Sequence, residues 1–166
     1  MENNKINNIP AFQEIDGLND VFYAHLEEFV RSLDLLYPQH KYNKETAAST
    51  MGELFKDKYR LVFIYLNNDF AGFGGYFLKN SLSWGKYLYV NDLVVNPEYR
   101  GKKIAKYFFE YTKEVAKNND CGSVRLDTRL ERKNTVVSHI KNGGYIFGFH
   151  IVMADIKEEN LENINF

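Results

Sequence analysis

Val90-Asn91-Asp92-Leu93-Val94-Val95-Asn96-Pro97-Glu98-Tyr99-Arg100-Gly101-Lys102-Lys103-Ile104-Ala105 is the stretch that decides the fold. An apolar run interrupted by one carboxylate, Asp92, stops at Asn96-Pro97. A basic turn containing Gly101 follows and opens into the periodic run Ile104, Ala105, Phe108, Phe109, Thr112, Val115 and Ala116. This reads as a buried strand, a turn and an amphipathic helix reaching about Asn118. Amides at a helix start lack intrahelical acceptors and carry partial positive charge. Gly101 lets the backbone come close to a ligand, and Arg100, Lys102 and Lys103 add positive charge. The physical product is a phosphate cradle, most simply for a pyrophosphate. Neither the GxxxxGK[ST] spacing of a P-loop nor the GxGxxG of a dinucleotide site is present.

Upstream, Ala11 to Ile15 reads as a short strand. The apolar positions from Leu18 through Phe22, His25, Phe29 and Leu33 to Leu36 predict one amphipathic helix, capped by Asp16 and stopped by Pro38. His25 lies on its apolar stripe, a core position. A weaker helix is predicted from about Lys44 to Lys56. The period then drops to two: Leu61–Leu66 is a strand, Asn67–Asp69 a turn, and Phe70–Leu78 a second strand. Gly72, Gly74 and Gly75 mark a bulge in it or a close approach by another group. A loop with Asn80 and Ser81 leads to the long strand Tyr87–Val95. Beyond the helix, Ser123–Thr128 reads as a strand, Asn134–Asn142 as a short helix capped by Gly143-Gly144, and Tyr145–Ile156 as extended. The order β-α-α-β-β-β-α-β-α-β predicts a mixed α/β (α+β) sheet with helices packed on it.

The 166 residues suit a single domain, 1–166, with polar ends 1–8 and 158–166 expected to fray. A net charge of −1 argues against a nucleic-acid partner. One cysteine, Cys121, excludes an internal disulfide and fits a reducing compartment. The polar start Met1-Glu2-Asn3-Asn4-Lys5 leads into no apolar h-region, and no apolar run approaches the ~20 residues of a membrane span. The expectation is a cytoplasmic protein with no membrane partner.

The run Asp92–Ala105 resembles motif A of the GCN5-related N-acetyltransferases (GNAT), whose core is [Q/R]xxGx[G/A]. Arg100 matches its first position and Ala105 its last, while Lys103 stands where glycine is usual. In order of elements the resemblance extends over Leu18–Ile156. It implies a GNAT-type, mostly antiparallel sheet with helices on both faces, and acetyl-CoA as cosubstrate with no metal. Leu93, Val94 and Val95 would offer backbone groups to the pantetheine arm, and the amides of Arg100, Gly101, Lys102, Lys103, Ile104 and Ala105 would hold the pyrophosphate. Asn134 matches an asparagine that often contacts CoA. The strand after motif A should splay from the motif A strand and leave a cleft for the thioester. Relatives are often dimers, so a homodimer is an expectation.

The implied reaction is attack by a primary amine, of a small molecule or a peptide, on the thioester. An alkylamine with a pKa near ~10 must lose a proton first. Asp92 is the candidate base, acting directly, through water, or by attracting a cationic acceptor; the plainer reading pairs it with a lysine or a backbone group. A backbone N–H at Val94 or nearby is the candidate oxyanion donor. The family's general-acid tyrosine on the last helix is missing, since the two possible alignments put Ile140 or Lys141 there. His139 is adjacent and titrates near neutrality, although a CoA thiolate is a fair leaving group without an acid. Tyr145 is read as core and Glu98 as a surface turn residue. Asp34, Tyr37, His40, Tyr42, Tyr76 and Trp84 are available to an acceptor site. The alternative function is a non-catalytic acetyl-CoA-binding sensor or interaction module, which the missing tyrosine favours.

Overall fold

Leu61-Val62-Phe63-Ile64 offers apolar side chains to both sides of its pleat, so a strand made from it needs cover on both faces. The computed structural model, which describes residues 9–129, 132–141 and 143–148, provides that cover. The chain divides into two compact units, Met1–Leu126 and Asp127–Phe166.

The first unit is built on one five-stranded sheet: β1 (Ala11–Ile15), β2 (Arg60–Leu66), β3 (Asp69–Ser81), β4 (Gly85–Val95) and β5 (Val124–Leu126), neighbours in that order. All pairs are antiparallel except β4 with β5, which is parallel. Three helices, α1 (Asp20–Ala24), α2 (Leu26–Leu36) and α3 (Lys44–Lys56), precede β2, and α4 (Ile104–Asn118) precedes β5. Two buried clusters result. Leu61 and Phe63 of β2 pack with Phe22, Phe29 and Met51 from the first three helices. Val62 and Ile64 point the other way, into a cluster with Ile104 and Phe108 of α4. Helices therefore cover both faces, as the GNAT likeness implied.

Several local expectations need correction. The stripe from Leu18 to Leu36 predicted one helix, but His25 breaks it, closing α1 and opening α2 with φ −111° and ψ 12°. Apolar spacing continues across the break, so periodicity gave no warning. The His25 ring still packs, 5.4 Å from Tyr65 and 5.6 Å from Phe70 between centroids. Asn19, not Asp16, caps α1: its side chain accepts from the Phe22 N–H at 3.0 Å. Asp16 pairs instead with Arg60 at 3.3 Å. The expected loop at Asn80 and Ser81 is strand, because β3 and β4 stay paired out to Ser81 and Gly85. β5 is shorter than the predicted Ser123–Thr128.

In the second unit, α5 spans Lys133–Lys141, close to the predicted Asn134–Asn142. Residues 145–148 carry no regular structure, and Tyr145, expected in the core, is exposed. The remainder of the predicted last strand, and the ends 1–8 and 158–166, lie outside the described residues.

Candidate active site

Gly75 of β3 pairs with Asp92, but its neighbour Tyr76 pairs with Val90, so Asn91 is an extra residue on β4. A bulge of this kind rephases the strand beyond it. Before it, Leu88 and Val90 point into the α4 cluster; after it, Leu93 and Val95 pack against that cluster instead. Val94 joins the cluster on the α2 side, and Asp92 emerges on that side too.

Backbone directions change with the phase. Leu88 N–H donates to the Ser123 carbonyl at 3.0 Å and Gly122 N–H to the Lys86 carbonyl at 2.8 Å, sewing β4 to β5. That pairing stops at Val90 opposite Leu126. On the far side of the bulge, Asn96 N–H donates to the Ala71 carbonyl of β3 at 2.9 Å. By strand alternation, the backbone groups of Val94 also face β3, whereas those of Leu93 and Val95 face the edge that β5 has left. Among the described residues β4 and β5 are thus joined at one end and unpaired at the other.

Asp92 is 8% exposed and held by three donors. The Tyr37 hydroxyl donates to Oδ1. The Tyr59 hydroxyl donates to Oδ2 at 2.5 Å and the Asn91 side-chain amide to the same oxygen at 2.9 Å. These partners are phenols and an amide rather than the lysine or backbone group of the plainer reading. Tyr59 arrives from the residue before β2 because Gly75 has no side chain: a Cβ there would overlap its hydroxyl. Burial, reinforced by the charge of Asp92, pushes the Tyr59 phenol well above its ordinary value. A raised phenol pKa stabilises the fold below the unfolded value of about 10 and is lost only as pH climbs through the folded value, so Tyr59 remains a donor at neutral pH.

Asp92 and Asn91 open into a cavity of about 180 Å³ between α2, α3 and the sheet. Phe29, Met51 and Phe73 form its buried wall. Tyr37, His40 and Tyr42, named from the sequence, line it. Three other candidates lie elsewhere. Tyr76 faces the α4 cluster and donates to Glu14. Trp84 stacks under the Arg125 guanidinium, 3.9 Å from its ring centre. Asp34 is an exposed residue of α2. Sequence reasoning missed Tyr59 and Met51, since a tyrosine ahead of a strand and a methionine on a helix both read as core.

After the short 3₁₀ turn Pro97–Tyr99, Arg100 Nε donates to the Val95 carbonyl at 3.0 Å, folding the turn back on the end of β4. Gly101 takes φ 78° with open space where a Cβ would stand. Lys103, the helix N-cap, takes φ 61° and ψ 16°. That left-handed geometry explains the usual glycine at this position; a side chain there costs roughly 1 kcal/mol. Lys103 is exposed, so its side chain leaves the backbone accessible. Tyr107 N–H to the Lys103 carbonyl, 3.2 Å, is the first helical hydrogen bond, which leaves the amides of Ile104 and Ala105 ahead of the ladder. Buried Ile104 anchors the turn to the α4 cluster. In the second unit, Asn134 and His139 lie on α5, and burial lowers the pKa of His139, favouring neutral imidazole. Among the described residues no group of His, Cys, Asp and Glu could hold a metal ion, and no helix is long and apolar enough to cross a membrane.

Comparison with known proteins gives the same picture. Thialysine N-epsilon-acetyltransferase of Bos taurus is 36% identical over 56 residues, which is 34% of this chain; the match spans 33% of the relative's length. An aminoglycoside N-acetyltransferase solved in complex with CoA superposes with a TM-score of 0.72 at 15% identity, covering 89% of this chain and 95% of that one. A glucosamine-6-phosphate N-acetyltransferase from Arabidopsis thaliana superposes with a TM-score of 0.65 at 21% identity, covering 87% and 98%. The model of the acetyltransferase (GNAT) family matches residues 21–137, and with motif A, the splayed β4 edge and the turn into α4 in their places, the chain belongs to the GNAT family.

Proposed function

We propose that the protein moves the acetyl group of acetyl-CoA to a primary amine of a small molecule or peptide. The observation that carries this reading is Asp92: a buried carboxylate at the head of a cavity, on the stretch of β4 that β5 leaves unpaired. The fit to acetyl-CoA rests on the same stretch. Among the described residues Leu93 presents its N–H and C=O groups, and Val95 its N–H, to the edge that β5 has left, as a pantetheine amide needs. The exposed Gly101–Lys103 turn and the first amides of α4 suit a pyrophosphate. When bound, acetyl-CoA supplies an acetyl group as a thioester.

The chain's own residues then have separable roles. Asp92 attracts the acceptor ammonium and takes its proton, so that the nitrogen lone pair is free to form the N–C bond as the C–S bond breaks. Tyr37, Tyr59 and Asn91 hold the carboxylate in place. The Val94 N–H, the first candidate for oxyanion stabilisation, faces β3, so the amide of Leu93 is the nearer donor on the open edge. His139 and Asn134 on α5 remain proposals as thiolate acid and CoA contact, and a neutral His139 is a weak acid for that task. A reducing, cytoplasmic setting and a homodimer complete the reading.

Acetyl-CoA should raise the melting temperature, and thiol should be released with at least one amine from a panel of thialysine, aminoglycosides, glucosamine 6-phosphate, peptides and simple amines. Binding without release on any acceptor supports the sensor reading, which the absence of tyrosine at Ile140 and Lys141 favours. Arg100→Ala should raise the dissociation constant for acetyl-CoA, with a difference from wild type that shrinks as salt screens the charge. Equal affinities at low salt would remove Arg100 from the phosphate site.

A further inference from the structure

The charge inventory of the cavity narrows the acceptor. Asp92 is the one carboxylate among the described residues that line it, and neither lysine nor arginine is among them. Away from Tyr59 and Asp92 its buried wall is carbon: Phe29, Leu33, Met51 and Phe73 are each at most 8% exposed. The rim is aromatic, with His40 between Tyr37 and Tyr42 at 6.0 and 5.9 Å between ring centroids. The volume, about 180 Å³, is small against the roughly 300–1,000 Å³ of pockets that take drug-sized ligands.

We infer that the acceptor is a primary monoamine carried on a short apolar arm, alkyl or arylalkyl, with its ammonium against Asp92 and its arm against Phe29, Met51 and Phe73. This rests on the acetyl-transfer reading of the site. One buried carboxylate compensates one buried ammonium. A second ammonium, as in a polyamine or an aminoglycoside, would lose its water and find no second carboxylate among the described lining residues. A phosphate or carboxylate on the substrate would meet neither lysine nor arginine and would face Asp92. An apolar arm has none of these costs and gains from leaving water. A carboxylate has about four acceptor sites, and the three donors already on Asp92 leave one for the ammonium.

The test is acetyl transfer to hexylamine and phenethylamine against spermidine, kanamycin, glucosamine 6-phosphate and lysine, with melting temperatures recorded for each amine with and without CoA. The expected result is a kcat/KM at least tenfold higher for hexylamine or phenethylamine than for any polycation or anion. Met51→Phe, which fills the wall, should raise KM for phenethylamine severalfold more than KM for methylamine while leaving the affinity for acetyl-CoA unchanged; Leu54 also lines the cavity, and Leu54→Phe is the second such variant should the first fail to fold. A preference for kanamycin, spermidine or glucosamine 6-phosphate overturns the inference and leaves acetyl transfer standing. So does acetyl-CoA binding with neither transfer to, nor a melting shift from, the two apolar amines. If acetyl-CoA itself produces no shift, the functional reading fails, and the shift with phenethylamine alone then decides whether the cavity takes this class.

Discussion

Asp92→Asn should lower kcat/KM for the acceptor amine by about 10²–10⁴-fold, the range over which a positioned general base contributes, while the dissociation constant for acetyl-CoA changes less than twofold. The split follows from position. The proposed cofactor contacts are backbone groups of Leu93 and Val95 and the turn before α4, none of which uses the Asp92 side chain. Asparagine keeps the size but loses the charge that draws an ammonium and the basicity that takes its proton. Its NH₂ would also face a site built from donors: the Tyr37 and Tyr59 hydroxyls and the Asn91 amide. Tyr37→Phe separates the two contributions, because it removes one donor and leaves the carboxylate. It should cost far less than Asp92→Asn in kcat/KM, since the carboxylate and its charge remain. An Asp92→Asn enzyme with wild-type rate would show that proton removal happens elsewhere.

The second large effect is on stability. Gly74 of β3 lies directly under the fully buried ring of Phe108, where a Cβ would overlap the ring. Gly74→Ala should therefore destabilise by about 1–3 kcal/mol as an overpacked core does, and Phe108→Ala by about 3–5 kcal/mol as a cavity forms. The two are not independent. The double variant places the new methyl in space the ring has vacated, so its loss should fall short of the sum by about 0.5–3 kcal/mol. Urea denaturation of the four proteins measures this directly. Strict additivity would mean that the close approach of β3 and α4 is not what glycine provides there.

The particular residues show which parts of the molecule local chemistry reveals. Motif A, the basic turn and the stripe of α4 are contiguous, and a strand entering a helix through a glycine turn leaves its pattern in consecutive residues. The glycines of β3 were legible as close approaches, although not which partners came close: Phe108 over Gly74 and Tyr59 over Gly75 are brought in by packing. The break at His25 left no trace, because the residues on either side keep the apolar spacing of one helix. The site itself was half visible. Asp92 stands out as a carboxylate in an apolar strand, whereas Tyr59 reaches it across 33 positions of sequence and Tyr37 across 55. Trp84 and Tyr76 were credible from composition and lost their place only because the β3–β4 hairpin and the far face of the sheet point them away from the cavity.

The extra residue at Asn91 has an implication for how this site tolerates change. A pleated strand has a period of two, so the one extra residue of a bulge decides which face everything beyond it takes. Straightening the bulge with Asn91 retained would carry Asp92 to the side of α4 and bring Leu93 to the cavity, whereas deleting Asn91 would set Val90 and Asp92 on the consecutive partners Tyr76 and Gly75 and keep the carboxylate on the cavity side. Homologues one residue shorter at Asn91 should accordingly still present the carboxylate to the cavity, so the pairing of this strand with β3 is a sharper guide to shared chemistry than its length.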